Sequence, residues 1–329
     1  MASRPTTPSD PRVSAALSAF RRGAVQDAVP LMQEAARDGV PLAMLAVAEW
    51  LAAGSRLPRD PARALEMARG AAESGLPPAM QLYACLLRWD APDGDDADAN
   101  RWTRLAAEQG DASARAEAAL WPLLDAPLPE PDVLHDAPRI AALPGLVPEA
   151  VCRHILRLAQ PQVAPALVFD PTTGQSRPHP VRRARNMNFG PTFYDSIVAW
   201  VNRRIAQASG TTAAQGEPLA VLAYGPGGEY RPHLDCLPPN AARPEDRLAE
   251  SGQRIKTLLI SLSGGYSGGH TAFTELDIRW RGRVGDALLF TNVTDAGAPE
   301  PLSRHAGAPV TAGEKWLASR WIRERPFQA

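Results

Sequence analysis

Cysteine is scarce in this chain. Only Cys85, Cys152 and Cys236 occur in 329 residues, they are scattered, and none forms a Cys-x-x-Cys pair. A disulfide framework is thereby disfavoured, and a reducing compartment is the expectation. No run of about 18 apolar residues is present, and the first ten residues lack the apolar stretch of a secretory signal. The reading is therefore no membrane span, no signal peptide and a cytoplasmic location. Charge of one sign is missing as well: 35 Lys and Arg balance 36 Asp and Glu, for a net charge of -1. Nothing in that balance favours nucleic acid or an anionic membrane as a partner. What remains is 45% hydrophobic and 22% charged, the composition of a soluble globular protein. The length allows two domains and a substantial core.

The N-terminal third repeats itself. Residues 35–43 (Ala-Ala-Arg-Asp-Gly-Val-Pro-Leu-Ala), 71–79 (Ala-Ala-Glu-Ser-Gly-Leu-Pro-Pro-Ala) and 106–114 (Ala-Ala-Glu-Gln-Gly-Asp-Ala-Ser-Ala) share one plan. Their glycines, Gly39, Gly75 and Gly110, are 36 and 35 residues apart, a period that indicates a helix-turn-helix solenoid. Each unit reads as a helix ending in Ala-Ala, a glycine stop, and a second helix opening near Ala43, Ala79 or Ala114. The repeats resemble Sel1-like units of the tetratricopeptide superfamily over residues 13–121, although the Gly-rich turn between units is degraded to Ala-Gly-Ser-Arg at 53–56 and an acidic loop at 91–98. Such an array offers a concave surface to a protein or peptide, or else only braces a neighbouring domain. Residues 1–12 read as a disordered N-terminus.

Prolines 122, 127, 129, 131 and 138 interrupt any helix over residues 122–142, which read as a Pro-rich linker. The pattern then changes. Amphipathic helices are predicted at 148–159 and 193–208, followed by strand-like runs at 219–224, 256–262, 287–291 and 316–322. Two helices followed by many short strands predict an α+β domain with a double-sheet barrel or jelly roll over residues 143–329.

Within that domain His233 and Asp235 form a His-x-Asp pair. On an extended strand, side chains two apart share a face, so an imidazole and a carboxylate would point together. A second histidine from a later strand would complete a two-His, one-carboxylate set suited to Fe(II) with open positions; His305, 70 residues after Asp235, is the candidate. Zinc could use the same three residues, but a structural zinc site normally closes with a fourth protein ligand. Lys315 lies ten residues beyond His305 in an apolar run and shares strand parity with Leu317, Ser319 and Trp321. If that face lines a barrel, its ammonium needs an anion. The competing reading is a lysine at a strand end in solvent. Cys236 falls on the opposite face from Asp235 and is left out of the site.

The set resembles the Fe(II)/2-oxoglutarate oxygenases, specifically the prolyl 4-hydroxylase alpha-subunit-like catalytic domain, over about residues 139–326. The resemblance rests on Tyr224-x5-Tyr230-x2-His233-x-Asp235, Gly268-Gly269-His270-Thr271-Ala272-Phe273, Gly285-Asp286-Ala287-Leu288-Leu289-Phe290 and His305-x9-Lys315-x5-Trp321. Residues 168–174 and 182–186 stand where that family has its substrate-side loop and Arg-Thr/Ser segment. The resemblance implies a double-stranded β-helix. It implies iron on His233, Asp235 and His305, and 2-oxoglutarate held by Lys315, Tyr224 and Thr257. It places Tyr230, Trp321, Arg183 and Arg185 on the substrate side. Core packing for the aromatics and solvated charge for the arginines are the competing readings. The chain departs from the family at His270, where Glu is frequent, and at Ala184 and Asn186, which puts a preference for peptidyl proline in doubt. His270 reads as a residue beside the site rather than a ligand.

The implied reaction couples decarboxylation of 2-oxoglutarate to succinate and CO2 with hydroxylation of a second substrate by O2, with ascorbate rescuing oxidised iron. The leading reading is a prolyl 4-hydroxylase-type enzyme of a protein or peptide recruited by the repeats. The alternatives are an oxygenase of a small molecule or free amino acid, and a catalytically silent interaction scaffold. Oligomeric state is not legible.

Overall fold

A computed structural model describes residues 10–90, 97–170, 175–178, 182–190, 195–237 and 248–327, with the side chains of 89–90, 167–170 and 175–178 outside the description. The sequence reading of a disordered segment falls on residues 1–9 in part, and the substrate-side loop on 171–174; both lie outside the described residues. The chain divides into two compact units. One runs to Trp121 and takes in the start of the helix at Ser196; the other holds the rest from Pro122.

The first unit is all helix: α1 (Pro11–Arg21), α2 (Val25–Arg37), α3 (Pro41–Ala53), α4 (Pro61–Glu73), α5 (Pro77–Asp90), α6 (Ala97–Glu108) and α7 (Ala112–Ala118). Helix α1 already begins at Pro11, with Asp10 accepting from the Arg12 N–H, so order starts earlier than the sequence suggested. Four helices open on proline, whose missing N–H costs nothing in the first turn. Gly39, Gly75 and Gly110 follow α2, α4 and α6 with φ of 79°, 87° and 100°, a region costly to any residue with a Cβ. At Gly39 the turn closes by two bonds, Gly39 N–H to Ala36 and Val40 N–H to Ala35, each 3.0 Å, which satisfy the last helical carbonyls. Gly110 repeats that pair of bonds onto Ala107 and Ala106. The recurring alanines are the interior: Ala16, Ala28, Ala35, Ala64, Ala71 and Ala106 are wholly buried, and their small size lets the helices approach closely.

The second unit carries α8 (Glu149–Ala159), most of α9 (Ser196–Ser209), the short α10 (Leu248–Ser251) and two main sheets. The larger sheet orders its strands Asp132–His135, Ile140–Leu143, Ala287–Thr291, Arg254–Ser261, Lys315–Arg323, Leu219–Tyr224, Arg185–Phe189 and Ala164–Pro165. The smaller sheet orders Ile278–Trp280, Thr271–Phe273, His305–Gly307 and Tyr230–His233. All pairings are antiparallel. Leu219–Tyr224, central in the large sheet, is buried at every position. Between the sheets, Phe290 from the large one meets Phe273 from the small one edge-to-face, centroids 5.3 Å apart, within a core shared with Ile140, Leu259 and Leu317. Two packed antiparallel sheets match the predicted jelly roll.

The Pro-rich stretch 122–142 differs from the linker reading. Its second half forms the hairpin Asp132–His135 with Ile140–Leu143, and the latter pairs with Ala287–Thr291. Prolines forbid a helix there, but they tolerate edge strands, and the pairing partner lies some 150 residues further on in sequence. Among the described residues no helix is long and apolar enough to cross a membrane.

Candidate metal centre and co-substrate site

The two histidines come from neighbouring strands of the small sheet and stand directly opposite each other in register. Their rings lie 4.3 Å apart, centroid to centroid. Each is oriented by its own strand in the same way. His233 Nδ1 bonds the Arg231 carbonyl at 2.9 Å, and His305 Nδ1 bonds the Ser303 carbonyl at 3.0 Å. A carbonyl only accepts, so Nδ1 carries the proton in both rings and Nε2 is left as a lone-pair donor.

Asp235 is placed differently. The strand Tyr230–His233 ends at the histidine, so the shared-face argument does not by itself bring the carboxylate round. A bend after the strand does so: Asp235 Oδ1 reaches 3.4 Å from His233 Nε2, and Oδ2 reaches 3.7 Å from His305 Nε2. The three residues offer ligand atoms all within 4.8 Å of one another, and they are the one such cluster among the described residues. Burial works to raise the Asp235 carboxyl, but His305, His233 and the Thr257 hydroxyl together hold it well below the usual range. Burial, with His233 and Lys315 adding to it against the pull of Asp235, lowers the His305 imidazole to about 4. His305 is therefore neutral near pH 7. His233 Nε2 is buried with no hydrogen-bond partner among the described residues. An orphaned imidazole nitrogen beside an ionised carboxylate and a neutral second imidazole is the donor set of a divalent metal, and it fits Fe(II). No fourth protein ligand of the kind a structural zinc site uses joins them among the described residues.

Lys315 opens the strand Lys315–Arg323 and stands opposite Tyr224. It is 5% exposed, so the solvent reading does not hold. Its ammonium donates to the Gly269 carbonyl at 2.7 Å and sits 5.7 Å from the centre of the Tyr224 ring. That carbonyl is presented by a turn in which Gly268 and Gly269 both have positive φ, and a Cβ on Gly268 would fall 2.3 Å from the Pro309 oxygen. Among the described residues no carboxylate pairs with Lys315. Burial, with Arg281 adding to it, pulls the ammonium down to about 8. Burial pushes the Tyr224 hydroxyl up, so it stays a donor. A buried cation, a buried hydroxyl and no anion make a carboxylate receptor.

Thr257 is placed otherwise than expected. Its hydroxyl donates to Asp235 Oδ2 at 2.7 Å and accepts from Asn292 Nδ2 at 2.9 Å. That group is committed to the metal-site carboxylate rather than to a co-substrate. Tyr230 lies flat on His233, centroids 3.5 Å apart at 16°. Trp321 is half-buried beneath the Arg254 guanidinium at 4.3 Å, and its buried Nε1 lacks a partner among the described residues. Arg185 is taken up on the surface: it pairs with Glu314 and covers Trp316. Arg183 is exposed and makes a backbone bond to Glu229. The arginine at the site is instead Arg182, 5.5 Å over the Tyr230 ring, its buried Nε without a partner among the described residues. His270 stays outside the ligand cluster.

Sequence reasoning also missed the buried frame under the site. Arg254 grips Glu217 with two bonds of 2.6 and 2.7 Å, Arg323 adds a third at 2.8 Å, and Arg254 reaches the Asp235 carbonyl at 3.4 Å. Asp286 of the Gly-Asp motif is likewise structural, accepting from the Gly145 and Arg283 N–H groups.

The profile of the 2OG-Fe(II) oxygenase superfamily matches residues 219–323, which include all three clustered ligands and Lys315. A probable prolyl 4-hydroxylase 6 of Arabidopsis thaliana is 33% identical over 58% of this chain and 70% of its own. The prolyl 4-hydroxylase subunit alpha-2 of Gallus gallus is 34% identical over 62% of this chain and 37% of its own. A solved viral collagen prolyl hydroxylase of Paramecium Bursaria Chlorella virus-1 is similar over 56% of this chain and 95% of that one, at 21% identity and a TM-score of 0.44. The chain belongs to the 2OG-Fe(II) oxygenase superfamily, in its prolyl 4-hydroxylase-like branch. It spans little more than a third of the length of the animal alpha subunits that it matches.

Proposed function

We propose that this chain is an Fe(II)- and 2-oxoglutarate-dependent dioxygenase of the prolyl 4-hydroxylase type, acting on a protein or peptide. The observation that carries the reading is a His-Asp-His cluster, with His233 Nε2 unpartnered, in one barrel with a buried Lys315 that meets no carboxylate among the described residues. Bound Fe(II) would supply O2 activation, with one oxygen atom passing to succinate as 2-oxoglutarate loses CO2 and the other to the substrate. Ascorbate is the reductant that this family membership brings with it.

The chain's own residues do the rest. His233, Asp235 and His305 hold the metal. Lys315 and Tyr224 bind the distal carboxylate of 2-oxoglutarate by a charge-assisted and a neutral hydrogen bond. The Phe273, Phe290 and Tyr230 rings around the histidines keep bulk water off the ligands. Arg182 and Tyr230 present a cation and an aromatic face beside His233, which suits a peptide carrying a prolyl ring and an acidic or carbonyl group. Arg183 and Trp321 are assigned to the substrate side as well.

The helical repeats are assigned to recruiting the target. Leu17 and Leu42 are large apolar side chains that stand 44% and 45% exposed on α1 and α3. Leu17→Glu with Leu42→Glu should lower turnover of a protein target and spare a short proline peptide. A reducing, cytoplasmic setting is supported by three cysteines that are all free and buried.

The primary test is anaerobic visible absorption of the protein titrated with Fe(II) and 2-oxoglutarate, beside His233→Ala. A charge-transfer band in the wild type alone is the expected result. Absence of a band in folded wild-type protein would overturn the assignment.

A further inference from the structure

We propose that Thr257 and Asn292 are positioning residues that lock the Asp235 carboxylate in its metal-binding rotation. The inference rests on the metal-site reading above and extends it to residues outside the ligand set.

The need for such a lock follows from the fold. The two histidines sit on paired strands, and each ring is fixed by a carbonyl two residues upstream. Asp235 lies past the end of its strand, where no ladder holds it. Nothing local fixes rotation about its Cβ–Cγ bond. The tether comes from the other sheet. Thr257 stands on Arg254–Ser261, between Phe290 and Trp321 of the neighbouring strands, and is wholly buried. Asn292 follows Ala287–Thr291 and is also wholly buried. Its backbone is pinned on both sides, by its N–H to the Ile255 carbonyl at 2.9 Å and by its carbonyl accepting from Glu300 N–H at 3.0 Å.

The direction of the chain of bonds is fixed by chemistry. An ionised carboxylate only accepts, so the Thr257 hydroxyl must give its hydrogen to Asp235 Oδ2. The threonine oxygen can then only accept, so Asn292 must present its amide N–H. Asn292 Oδ1 is thereby turned away, and it is buried with no partner among the described residues. A valine and a leucine would fill the same two places with no orphaned acceptor. A core that keeps a costly polar pair instead keeps it for what the pair touches, and that is the carboxylate. The result is a directed relay, Asn292 to Thr257 to Asp235, which occupies one lone pair of Oδ2. It also holds Oδ1 against His233.

The test uses the full chain, metal-free, titrated with Co(II) under argon and followed by visible absorption, with melting temperature recorded for each variant. Thr257→Val should weaken Co(II) binding by about 10- to 100-fold and change the shape of the cobalt band, as loss of an orienting partner does at other metal sites. Thr257→Ser, which keeps the hydroxyl, should stay within about threefold of wild type. Asn292→Leu, which removes only the outer donor, should give a smaller loss in the same direction and serves if Thr257→Val does not fold. Thr257→Val and Asn292→Leu that fold and bind Co(II) like wild type, with an unchanged band, would overturn the relay while leaving the metal site standing. Wild-type protein that binds neither Co(II) nor Fe(II) would overturn both.

Discussion

The Lys315 ammonium lies 2.7 Å from the Gly269 carbonyl and 5.7 Å from the centre of the Tyr224 ring, and no carboxylate among the described residues meets it. A cation in that position destabilises the protein that lacks an anion there and selects an anion of the right length. Lys315→Met should therefore raise the melting temperature of the metal- and co-substrate-free protein by a few degrees. The same change should weaken 2-oxoglutarate by about 100-fold, since one partner of a buried pair is lost. Differential scanning fluorimetry and anaerobic titration read the two effects separately.

The same lysine sets a pH dependence. Its pKa is lowered to about 8 from an ordinary 10.5 in the free folded protein. Between those values the unfolded chain holds a proton that the folded chain does not, so stability of the co-substrate-free protein should rise with pH across that window. Affinity for 2-oxoglutarate should do the opposite, flat below about pH 8 and falling above it. Lys315→Met should abolish both slopes.

Tyr224→Phe removes a buried donor and keeps the ring. The expected result is about a tenfold rise in KM for 2-oxoglutarate with little change in kcat, measured by succinate release.

Arg182 and Arg185 should separate in the assay. Arg182→Gln should raise KM for a proline-containing peptide by roughly tenfold without altering 2-oxoglutarate binding. Arg185→Gln breaks an exposed pair with Glu314, and both constants should stay within about twofold. Equal effects would show that the segment acts by charge alone.

Glu117 of α7 gives a second pH signature, in the helical unit. It is wholly buried, and it accepts from Gln81 Nε2 at 2.7 Å and from the Ser196 N–H at 2.9 Å. Burial, then the nearby Asp195, push its carboxyl up to about 8 against the pull of the Ser196 donors. A raised folded value means that its stabilising contribution is complete below about pH 4.5 and is lost as pH climbs to 8. Thermal melts across that range should fall with pH in the wild type, and Glu117→Gln should flatten the slope.

The parts legible in sequence are those set by short-range rules. Gly39, Gly75 and Gly110 announced three helix stops because only a positive φ fits the turn that each closes. His233, Asp235 and His305, which the structure clusters, were offered by a His-x-Asp pair and a later histidine, and the family resemblance singled them out together with Lys315; the run 219–224 was legible from its unbroken apolar character. The misses depended on distant pairing. Thr257 meets a carboxylate 22 residues away in the bend beyond the small sheet, so its partner could not be read from its own strand. The prolines of 122–142 admit no more than the 3-10 turn Trp121–Leu123, and the strand Ile140–Leu143 could not be read locally because it pairs with Ala287–Thr291. Arg183 and Arg185 were named from the resemblance over 182–186, and the contact that marks Arg182, its guanidinium over the Tyr230 ring, joins residues 48 apart in sequence.

The three ligands belong to the small sheet and the bend beyond it, whereas Lys315, Tyr224 and Thr257 belong to the large one. Whatever fills the space between them fastens one wall of the barrel to the other. In a chain whose cysteines are all unpaired, the loaded site would serve as its cross-link, one that forms with metal and dissolves with a chelator. Amide exchange should then slow along both walls together when the site is filled, reaching strands that touch no ligand.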